Sequence, residues 1–402
     1  MQPPEANLPA TVIADRNSSD SRPGPLILVG ASVRSAAESA RRAGFQPIAW
    51  DRYGDRDTRA AAEHWLPLDS SPTPSSLRES LRKLDQIGAT NTPLQIAGGL
   101  HGGYDWLRDC RRKFLGADLE CISRTAEIEF LAPLAAHARV AFPESVRLSP
   151  ISGPASGHPM PGRWLVKRSS SSGGLGVRWQ AVQPSPSHGS LQHASILQRF
   201  TSGRAVGVSY LGDGNQAICL GACRLITRRF GDLPFVYTGA IGPLKLCDAV
   251  TQQLRRIGDA FVKHWRFVGP FNADVILQAE SVSLIEINPR WSGSMELIER
   301  SWSETLGEPC SLFESPAIWQ ARLHRRCADT PAPPRFLKRV LFARRTQWVS
   351  PLECDQRAAR SRWQFKDVPN QPTKIVAGQP IATLIAPLTQ TNLPDLMRYQ
   401  WG

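Results

Sequence analysis

Short apolar runs and an alanine-rich segment alternate near the start of the chain. Residues 26–29 and 46–50 are apolar runs that predict buried strands. Residues 35–43, between them, are rich in alanine and predict a helix. A strand, a helix and a strand with short connections predict a parallel βαβ unit. A further apolar run at 94–97 extends this pattern, and we expect a Rossmann-like domain over residues 25–118.

The middle of the chain alternates strand-like segments with glycine and serine turns. This pattern runs from residue 163 to residue 290 and is interrupted by one predicted helix around residues 249–264. A helix is also expected over residues 125–137. The first 24 residues are rich in proline, serine and asparagine, and predict a disordered leader. They lack the positively charged start and the apolar stretch of a signal peptide.

A loop of small residues follows Lys167. In WLVKRSSSSGGLGVRW a predicted strand delivers the lysine, and four serines and three glycines occupy the next nine positions. Such a loop can expose backbone N–H groups and hydroxyl groups to phosphate oxygens, while the lysine neutralises phosphate charge. The alternative is a flexible glycine/serine hairpin without a ligand.

Two carboxylates and an amide lie on a predicted hairpin near residue 280. Asp274 and Glu286 are within its strands, and Asn288 lies two residues after Glu286, so that both side chains point to one face. Hard oxygen ligands of this kind suit Mg²⁺, with Mn²⁺ as an alternative. A salt bridge between the carboxylates and arginines is the other interpretation. Arg290, again two residues further on, could stabilise a transferred phosphate or hold a substrate carboxylate.

Together these segments resemble the ATP-grasp superfamily. Members of this superfamily place a lysine before a small-residue loop, then a hinge, and then Asp/Glu and Glu-x-Asn residues that bind two magnesium ions. The segment IEINPRWSGS is the most specific match in this chain. The resemblance spans about residues 25–300. It implies an α/β and α+β fold, in which the Rossmann-like domain precedes a two-lobed ATP-grasp domain over residues 119–330. The small lobe is expected at about 139–200, the large lobe at about 201–330, and a small β-rich C-terminal appendage at 331–402.

The resemblance also implies roles for individual residues. The family's adenine-binding hinge matches LQRFTSGRAVGVSYL, with Gln198 where an acid is usual, and no carboxylate follows soon after it for the ribose hydroxyls. Arg124 stands where the family has a phosphate-binding lysine. The expected catalytic residues are Arg290 and Lys167, and the expected metal ligands are Asp274, Glu286 and Asn288. The expected ATP contacts are Arg124, Lys167, Ser170, Ser171, Ser172, Gly173, Gly174, Gly176, Gln198, Arg199, Phe200 and Thr201.

The implied activity is that of an ATP- and Mg²⁺-dependent ligase that joins a carboxylate to an amine through an acyl phosphate. Within the superfamily the chain looks most like the predicted ATP-dependent carboligases related to biotin carboxylase, through the segments GASVRSAA, GGLHGG and GQPIAT. Some ligases near this group attach glutamate during assembly of one-carbon-carrier cofactors, which suggests a pathway. The expected partners are small-molecule carboxylate and amine substrates, and the resemblance allows a homodimer.

Composition narrows the list of partners and compartments. The formal net charge is +13, and residues 322–345 contain eight Lys/Arg and one acid, which suits an anionic substrate or a solvated basic face. Nucleic acid is disfavoured, because no aromatic-basic signature accompanies the charge. No apolar stretch is long enough to predict a transmembrane helix. The eight cysteines form no CxxC pair and predict free thiols in the cytoplasm.

Two other functions are weighed against the ligase. A non-catalytic or regulatory nucleotide-binding protein on the same fold would fit Gln198 and the missing ribose acid. An NAD-dependent oxidoreductase would use Gly30 and Asp51, which lie 21 residues apart as in a dinucleotide site. The turn GASVRS, however, lacks the glycine that lets the backbone approach a pyrophosphate.

Overall fold

The computed structural model describes most of the chain between residue 23 and residue 401. The described ranges are residues 23–100, 103–148, 162–169, 171–180, 195–325, 333–361, 363–389, 393–399 and 401. The expected leader over residues 1–24 therefore lies almost wholly outside the described residues, and Ser170 does as well.

Parallel strands build the N-terminal sheet. Its elements are β1 (Pro25–Val29), α1 (Arg34–Arg42), β2 (Gln46–Asp51), α2 (Arg56–Ala61), β3 (His64–Pro67), α3 (Pro74–Gln86) and β4 (Leu94–Ile96). Their order in the sheet is β3-β2-β1-β4, and β1 pairs in parallel with both β2 and β4. The apolar run of β1 is buried because strands and helices surround it, as is usual for parallel sheets. The predicted βαβ unit is confirmed, whereas α2, β3 and α3 were not predicted.

The predicted helix over residues 125–137 is wrong at its start. The helix in this region is α5 (Ile128–His137), and a separate helix that was not predicted, α4 (Leu119–Arg124), precedes it. The Asp118 side chain accepts a hydrogen bond from Cys121 N and begins α4, and the chain turns at residues 125–127 before α5 begins.

An antiparallel sheet follows. Its described strands are β5 (Ser145–Leu148), β6 (Trp164–Arg168), β7 (Val177–Trp179) and β8 (Ser195–Arg199), in the order β5-β8-β6-β7. The turn between β6 and β7 carries the serine and glycine residues, which places them at one end of this sheet.

The largest sheet is antiparallel and contains eight of the described strands. They are β9 (Arg204–Asp213), β10 (Ala217–Phe230), β11 (Leu233–Gly242), β12 (Val268–Gln278), β13 (Ser281–Asn288), β14 (Phe336–Phe342), β16 (Gln364–Lys366) and β18 (Pro380–Pro387), in the order β13-β12-β9-β10-β11-β14-β18-β16. The C-terminal strands therefore extend the sheet of the preceding lobe, because β14 pairs with β11. A separate small ribbon pairs β15 (Gln347–Val349) with β17 (Thr373–Ile375).

Helices cover the large sheet. They are α6 (Asp248–Trp265), α7 (Met295–Leu306), α8 (Pro316–Arg325), α9 (Pro351–Ser361) and α10 (Leu393–Arg398). Helix α6, close to the predicted bounds, buries Ile257 and Phe261 against the sheet residues Tyr210 and Phe271. In the described parts of the chain, no helix combines the length and apolar composition needed to cross a membrane.

A buried ionic cluster joins the N-terminal domain to the large lobe and to the C-terminal strands. Arg34 of α1 is 1% exposed, and its guanidinium donates to Glu296 of α7 (Nη2–Oε2 3.0 Å) and to Asp367 (Nε–Oδ1 2.9 Å). Lys338 of β14 also donates to Glu296 (2.8 Å). Because each charge is paired within a water-poor interface, the domains are held in one mutual arrangement.

Replacing Arg34 should loosen this interface. Arg34→Met leaves buried carboxylates without their cation, and we expect the free energy of unfolding to fall by about 3–5 kcal/mol. Urea unfolding monitored by tryptophan fluorescence measures the loss. The control is Arg82→Met, which breaks an exposed ion pair with Glu79 and should leave stability nearly unchanged, because solvent screens that pair. Equal, small losses in both variants would contradict the structural role of Arg34.

Asp55 should make stability depend on pH. Burial raises the pKa of its carboxyl to about 9, and the charges of Asp367 and Asp57 add to the effect. The unfolded chain releases this proton near pH 4. Between pH 4 and pH 9 the folded state therefore binds a proton that the unfolded state lacks. As a consequence, the free energy of unfolding falls as pH rises through this window. Each pH unit in that window costs about 1.4 kcal/mol for one group. Urea unfolding at pH 6, 7 and 8 gives the free energy of unfolding as a function of pH. For Asp55→Asn this free energy should fall less steeply with pH than for wild type, by about that amount per pH unit, whereas the exposed variant Asp69→Asn should keep the wild-type slope. Equal slopes for wild type and Asp55→Asn would refute the assignment.

Candidate active site

Two carboxylates face each other on neighbouring strands of the large sheet. Asp274 of β12 pairs directly with Glu286 of β13 in the antiparallel register, so both side chains point to the same face. A side-chain hydrogen bond also joins the two groups. The sequence alone placed both residues on a hairpin, and the structure aligns them opposite one another.

The two carboxyl groups have different proton affinities. Burial and the neighbouring charge of Glu286 raise the pKa of Asp274 well above its usual value. Burial also disfavours ionised Glu286, but the Lys167 cation and a hydrogen bond from Asn288 outweigh burial and lower the pKa of Glu286. A divalent cation between the two groups could neutralise both charges.

Lys167 faces the carboxylate pair from the other side of the cleft. Burial lowers the pKa of its ammonium group, while the charges of Glu286 and Asp274 act in the opposite direction. The ammonium donates to the side-chain oxygen of Gln198 (3.2 Å), and Gln198 in turn donates to Ser145 (3.0 Å). Gln198, which stands where the resemblance leads us to expect an acid, therefore holds the lysine side chain in position.

Amide side chains surround the carboxylates. Asn288 donates to Glu286 (Nδ2–Oε1 2.8 Å) and to Asp274 (Nδ2–Oδ2 3.4 Å), while its oxygen accepts from Arg290 (2.7 Å). For its oxygen to ligate a cation, the amide must rotate by half a turn about its Cβ–Cγ bond. The donor set of two carboxylates and one amide oxygen fits Mg²⁺ or Mn²⁺. Among the described residues, no three His, Cys, Asp or Glu side chains come together as a metal site.

Asn272 belongs to this network and was missed by sequence reasoning. It is 1% exposed and pairs with Asn288 across the hairpin, and its amide donates to Asp274 Oδ1 (2.7 Å). Its oxygen accepts from Ser292 (3.2 Å). The signal was present in the alternation of β12, because Asn272 lies two residues before Asp274 and so shares its face.

The small-residue loop between β6 and β7 lies over the large sheet. The Gly173 carbonyl accepts a hydrogen bond from Tyr237 N (2.9 Å). Gly174 has φ +78°, and a Cβ at this position would lie 2.0 Å from the Phe235 carbonyl oxygen, so a larger residue would push the loop away. This loop, residues 169–176, is called the flap below.

The N-terminal domain also reaches the site. Ala97 bridges to Trp291, and the Gly98 amide donates to the Trp291 carbonyl (3.1 Å). A Cβ on Gly99 would lie 2.5 Å from Ser172 Cβ of the flap and 3.2 Å from Arg290 Nη2. The carboxyl end of β4, the flap and Arg290 therefore meet at one point, as expected for ligand sites at strand ends in α/β sheets.

These surfaces enclose a cavity of about 750 Å³, a size usual for a small-molecule site. Most predicted site residues line it: Lys167, Ser171, Ser172, Gly173, Gly174, Gln198, Arg199, Phe200, Thr201, Asp274, Glu286, Asn288 and Arg290. Residues that are more than 100 positions apart in the chain thus converge on one volume. Their roles in binding remain predictions.

The hinge residues form the far end of the cavity. The Arg199 N–H donates to the Glu144 carbonyl, and the Phe200 N–H donates to the Arg163 carbonyl (both 2.8 Å). These two N–H groups hold the hinge in the small-lobe sheet. The predicted contact with a base therefore falls to the other backbone groups of this segment, including those of Thr201.

Some predicted residues lie elsewhere. Arg124 is half exposed, pairs with Glu127 (3.2 Å) and does not line the cavity. Gly176 is the last residue of the flap and does not line the cavity, and its carbonyl accepts a hydrogen bond from Arg168 N (3.1 Å). Ser170 is outside the described residues. Asp51 accepts hydrogen bonds from Val33 N, Gly54 N and Trp65 Nε1, so its buried carboxylate is used within the fold. This use argues against Asp51 as a ribose-binding acid.

Removing either carboxylate should weaken metal binding. Glu286→Gln and Asp274→Asn each remove a charged oxygen ligand, and we expect the dissociation constant of Mn²⁺ to rise at least 10-fold, because even supporting residues of metal sites have effects of about 10- to 100-fold. Titration with Mn²⁺, followed by electron paramagnetic resonance, measures this dissociation constant without any catalytic turnover. Glu280→Gln, in the exposed turn of the same hairpin, is the control and should bind as wild type does. Unchanged Mn²⁺ affinity in Glu286→Gln would exclude the proposed site.

Comparisons with known proteins agree with this geometry. The family model described as the ATP-grasp domain matches residues 132–294. The fold is similar to L-amino acid ligase from Bacillus licheniformis, with a TM-score of 0.65, 10% identity, and coverage of 94% of this chain and 96% of that chain. It is also similar to N5-carboxyaminoimidazole synthase from Aspergillus clavatus, solved with ADP and 5-aminoimidazole ribonucleotide, with a TM-score of 0.63, 12% identity, and coverage of 93% and 96%.

A third similar structure is phosphoribosylglycinamide synthetase from Anaerococcus prevotii, with a TM-score of 0.57, 13% identity, and coverage of 93% and 96%. A search of curated protein sequences finds no match. At these identities the solved structures support the fold, and the domain match covers the segment that carries the flap and the carboxylate pair. On these grounds residues 132–294 form an ATP-grasp domain, and the whole chain shares the fold of these three enzymes.

Proposed function

We propose that this protein is an ATP- and Mg²⁺-dependent ligase that joins a small-molecule carboxylate to an amine through an acyl phosphate. The observation that carries the proposal is the Asp274–Glu286 pair, which faces Lys167 across a cavity that the flap and the hinge also line. A triphosphate placed between them would meet cationic and N–H groups above and oxygen ligands below.

The reaction has two steps. A carboxylate oxygen attacks the γ-phosphorus of ATP, and the bond from that phosphorus to the β–γ bridging oxygen breaks, which releases ADP. The lone pair of the amine then attacks the acyl carbon, the carbon–oxygen bond to phosphate breaks, inorganic phosphate leaves, and the nitrogen loses a proton. In such transfers the protein mainly positions the reactants and neutralises charge.

Each part of the site has a role in this scheme. Lys167 and the backbone N–H groups of the flap would bind phosphate oxygens, and the Arg199–Thr201 hinge would hold the adenine. Arg290, held by Asn288 at 2.7 Å, would bind the reacting carboxylate or the transferred phosphate. Asp274, Glu286 and Asn288 would hold the divalent cation, which when bound neutralises phosphate charge.

The similar structures support this reaction class. They are an L-amino acid ligase, an N5-carboxyaminoimidazole synthase solved with ADP, and a phosphoribosylglycinamide synthetase. We therefore infer a small-molecule acceptor. A role in the biosynthesis of a one-carbon-carrier cofactor stays a prediction, and so does a homodimer. All cysteines in the described part of the chain are free thiols, which favours a reducing compartment. We therefore expect the reaction to take place in the cytoplasm.

Hydroxylamine provides a test that needs no knowledge of the natural amine. The enzyme is incubated with Mg-ATP, hydroxylamine and a panel of carboxylates that includes the twenty L-amino acids and small mono- and dicarboxylic acids. A ligase should form ADP and a hydroxamate in equal amounts with at least one carboxylate. Glu286→Gln should form neither, and Glu280→Gln should match wild type. If wild type binds Mg-ATP but releases no ADP with any carboxylate, the alternative of a non-catalytic nucleotide-binding protein replaces the ligase.

A further inference from the structure

Tyr237 carries a buried hydroxyl group that has no hydrogen-bond partner among the described residues. The residue lies on β11 and lines the cavity. Leaving a buried hydroxyl unpaired costs about 1–3 kcal/mol, so the group calls for a partner that the described residues do not supply. Nothing in the scheme above uses this group.

The backbone of Tyr237 fixes where the side chain sits. Its N–H holds the Gly173 carbonyl at 2.9 Å, so Tyr237 lies directly beneath the tip of the flap. A Cβ at Gly293 would lie 3.4 Å from the Tyr237 hydroxyl oxygen and 3.8 Å from Lys338 Nζ. The hydroxyl is therefore next to the chain segment that follows Arg290.

The strand that carries Tyr237 is separated from the strand that carries Asp274. In the sheet order, β11 is three strands from β12, which is about 14 Å at the usual strand spacing. The hinge residues belong to the other lobe. A ligand atom bonded to the Tyr237 hydroxyl would lie beneath the flap, next to Gly293 in the segment that follows Arg290.

The chemistry of the group selects an oxygen acceptor. Burial raises the pKa of Tyr237 well above its usual value, and the charges of Cys223 and Glu296 add to the effect, so the phenol stays protonated. A neutral phenol in a cavity donates its hydrogen bond, and a carboxylate oxygen is a strong acceptor for it.

We propose that Tyr237 is a substrate-binding residue, whose hydroxyl donates a hydrogen bond to the carboxylate of the acceptor and keeps that bond when the carboxylate becomes the acyl phosphate. This inference rests on the proposed ligase function. It assigns the floor of the cavity beneath the flap tip to the acceptor, in a place where no charged residue is required.

The variant Tyr237→Phe removes only the hydroxyl. Since a hydrogen bond to a charged group is involved, we expect the KM for the best carboxylate of the hydroxylamine screen to rise about 10- to 100-fold. The KM for ATP and the dissociation constant of Mn²⁺ should stay within about 2-fold of wild type. The matched control is Tyr210→Phe, whose hydroxyl donates to the Leu254 carbonyl (2.8 Å) in the core; it should lower stability and leave both KM values unchanged.

A second measurement does not depend on the screen. Acetyl phosphate is a minimal acyl phosphate, and calorimetric titration into the complex of the enzyme with Mg-ADP should show weaker binding to Tyr237→Phe than to wild type, by about 10-fold or more. The proposal is overturned if the two bind acetyl phosphate equally, if wild type does not bind it, or if Tyr237→Phe raises the KM for ATP instead of that for the carboxylate.

The outcomes separate the two proposals. If wild type forms no hydroxamate but Tyr237→Phe weakens acetyl phosphate binding, the ligase assignment fails and the role of Tyr237 in binding an acyl or carboxylate group stands. If hydroxamate forms and Tyr237→Phe has the kinetics of wild type, the ligase assignment stands and the role of Tyr237 is wrong.

Discussion

The burial of two facing carboxylates governs the organisation of this site. Asp274 and Glu286 are direct partners across the β12–β13 hairpin, and ionising both in a water-poor cleft is costly unless positive charge is close. Lys167 supplies one charge, and Asn288 and Asn272 donate N–H groups to the carboxylate oxygens. In the proposed function, the divalent ions that accompany a triphosphate would supply the remaining positive charge.

Three parts of the chain must stay in place for this pair to face a closed cavity. The flap is held to β11 through Gly173, and the N-terminal domain reaches it through Gly99. Behind them, the buried ionic cluster around Arg34 and Glu296 fixes the domains against each other. Removing one partner of a buried ion pair leaves an unpaired charge in the interior, which is costly, whereas the intact pair adds little net stability. The cluster therefore acts mainly as a constraint on the geometry of the domains.

Sequence reasoning identified local elements well where one pattern dominated. The apolar run of β1, the helix α6 and the hairpin that carries Asp274 and Glu286 follow from periodicity and from glycine and proline positions. It missed α2, β3 and α3, whose short and mixed patterns carry a weak periodic signal. It also missed α4, because the cap at Asp118 and the turn after Arg124 are decided by single hydrogen bonds.

By itself, the sequence determined the candidate residues on the β12–β13 hairpin and the face they share, because residue type and spacing along a strand set that face. Only the tertiary structure decided which of them share a volume. The position of Arg124 beside Glu127, the use of Asp51 inside the fold and the unpaired hydroxyl of Tyr237 all depend on contacts between segments distant in the chain. Such contacts are fixed by packing of whole layers against one another, which no local pattern encodes.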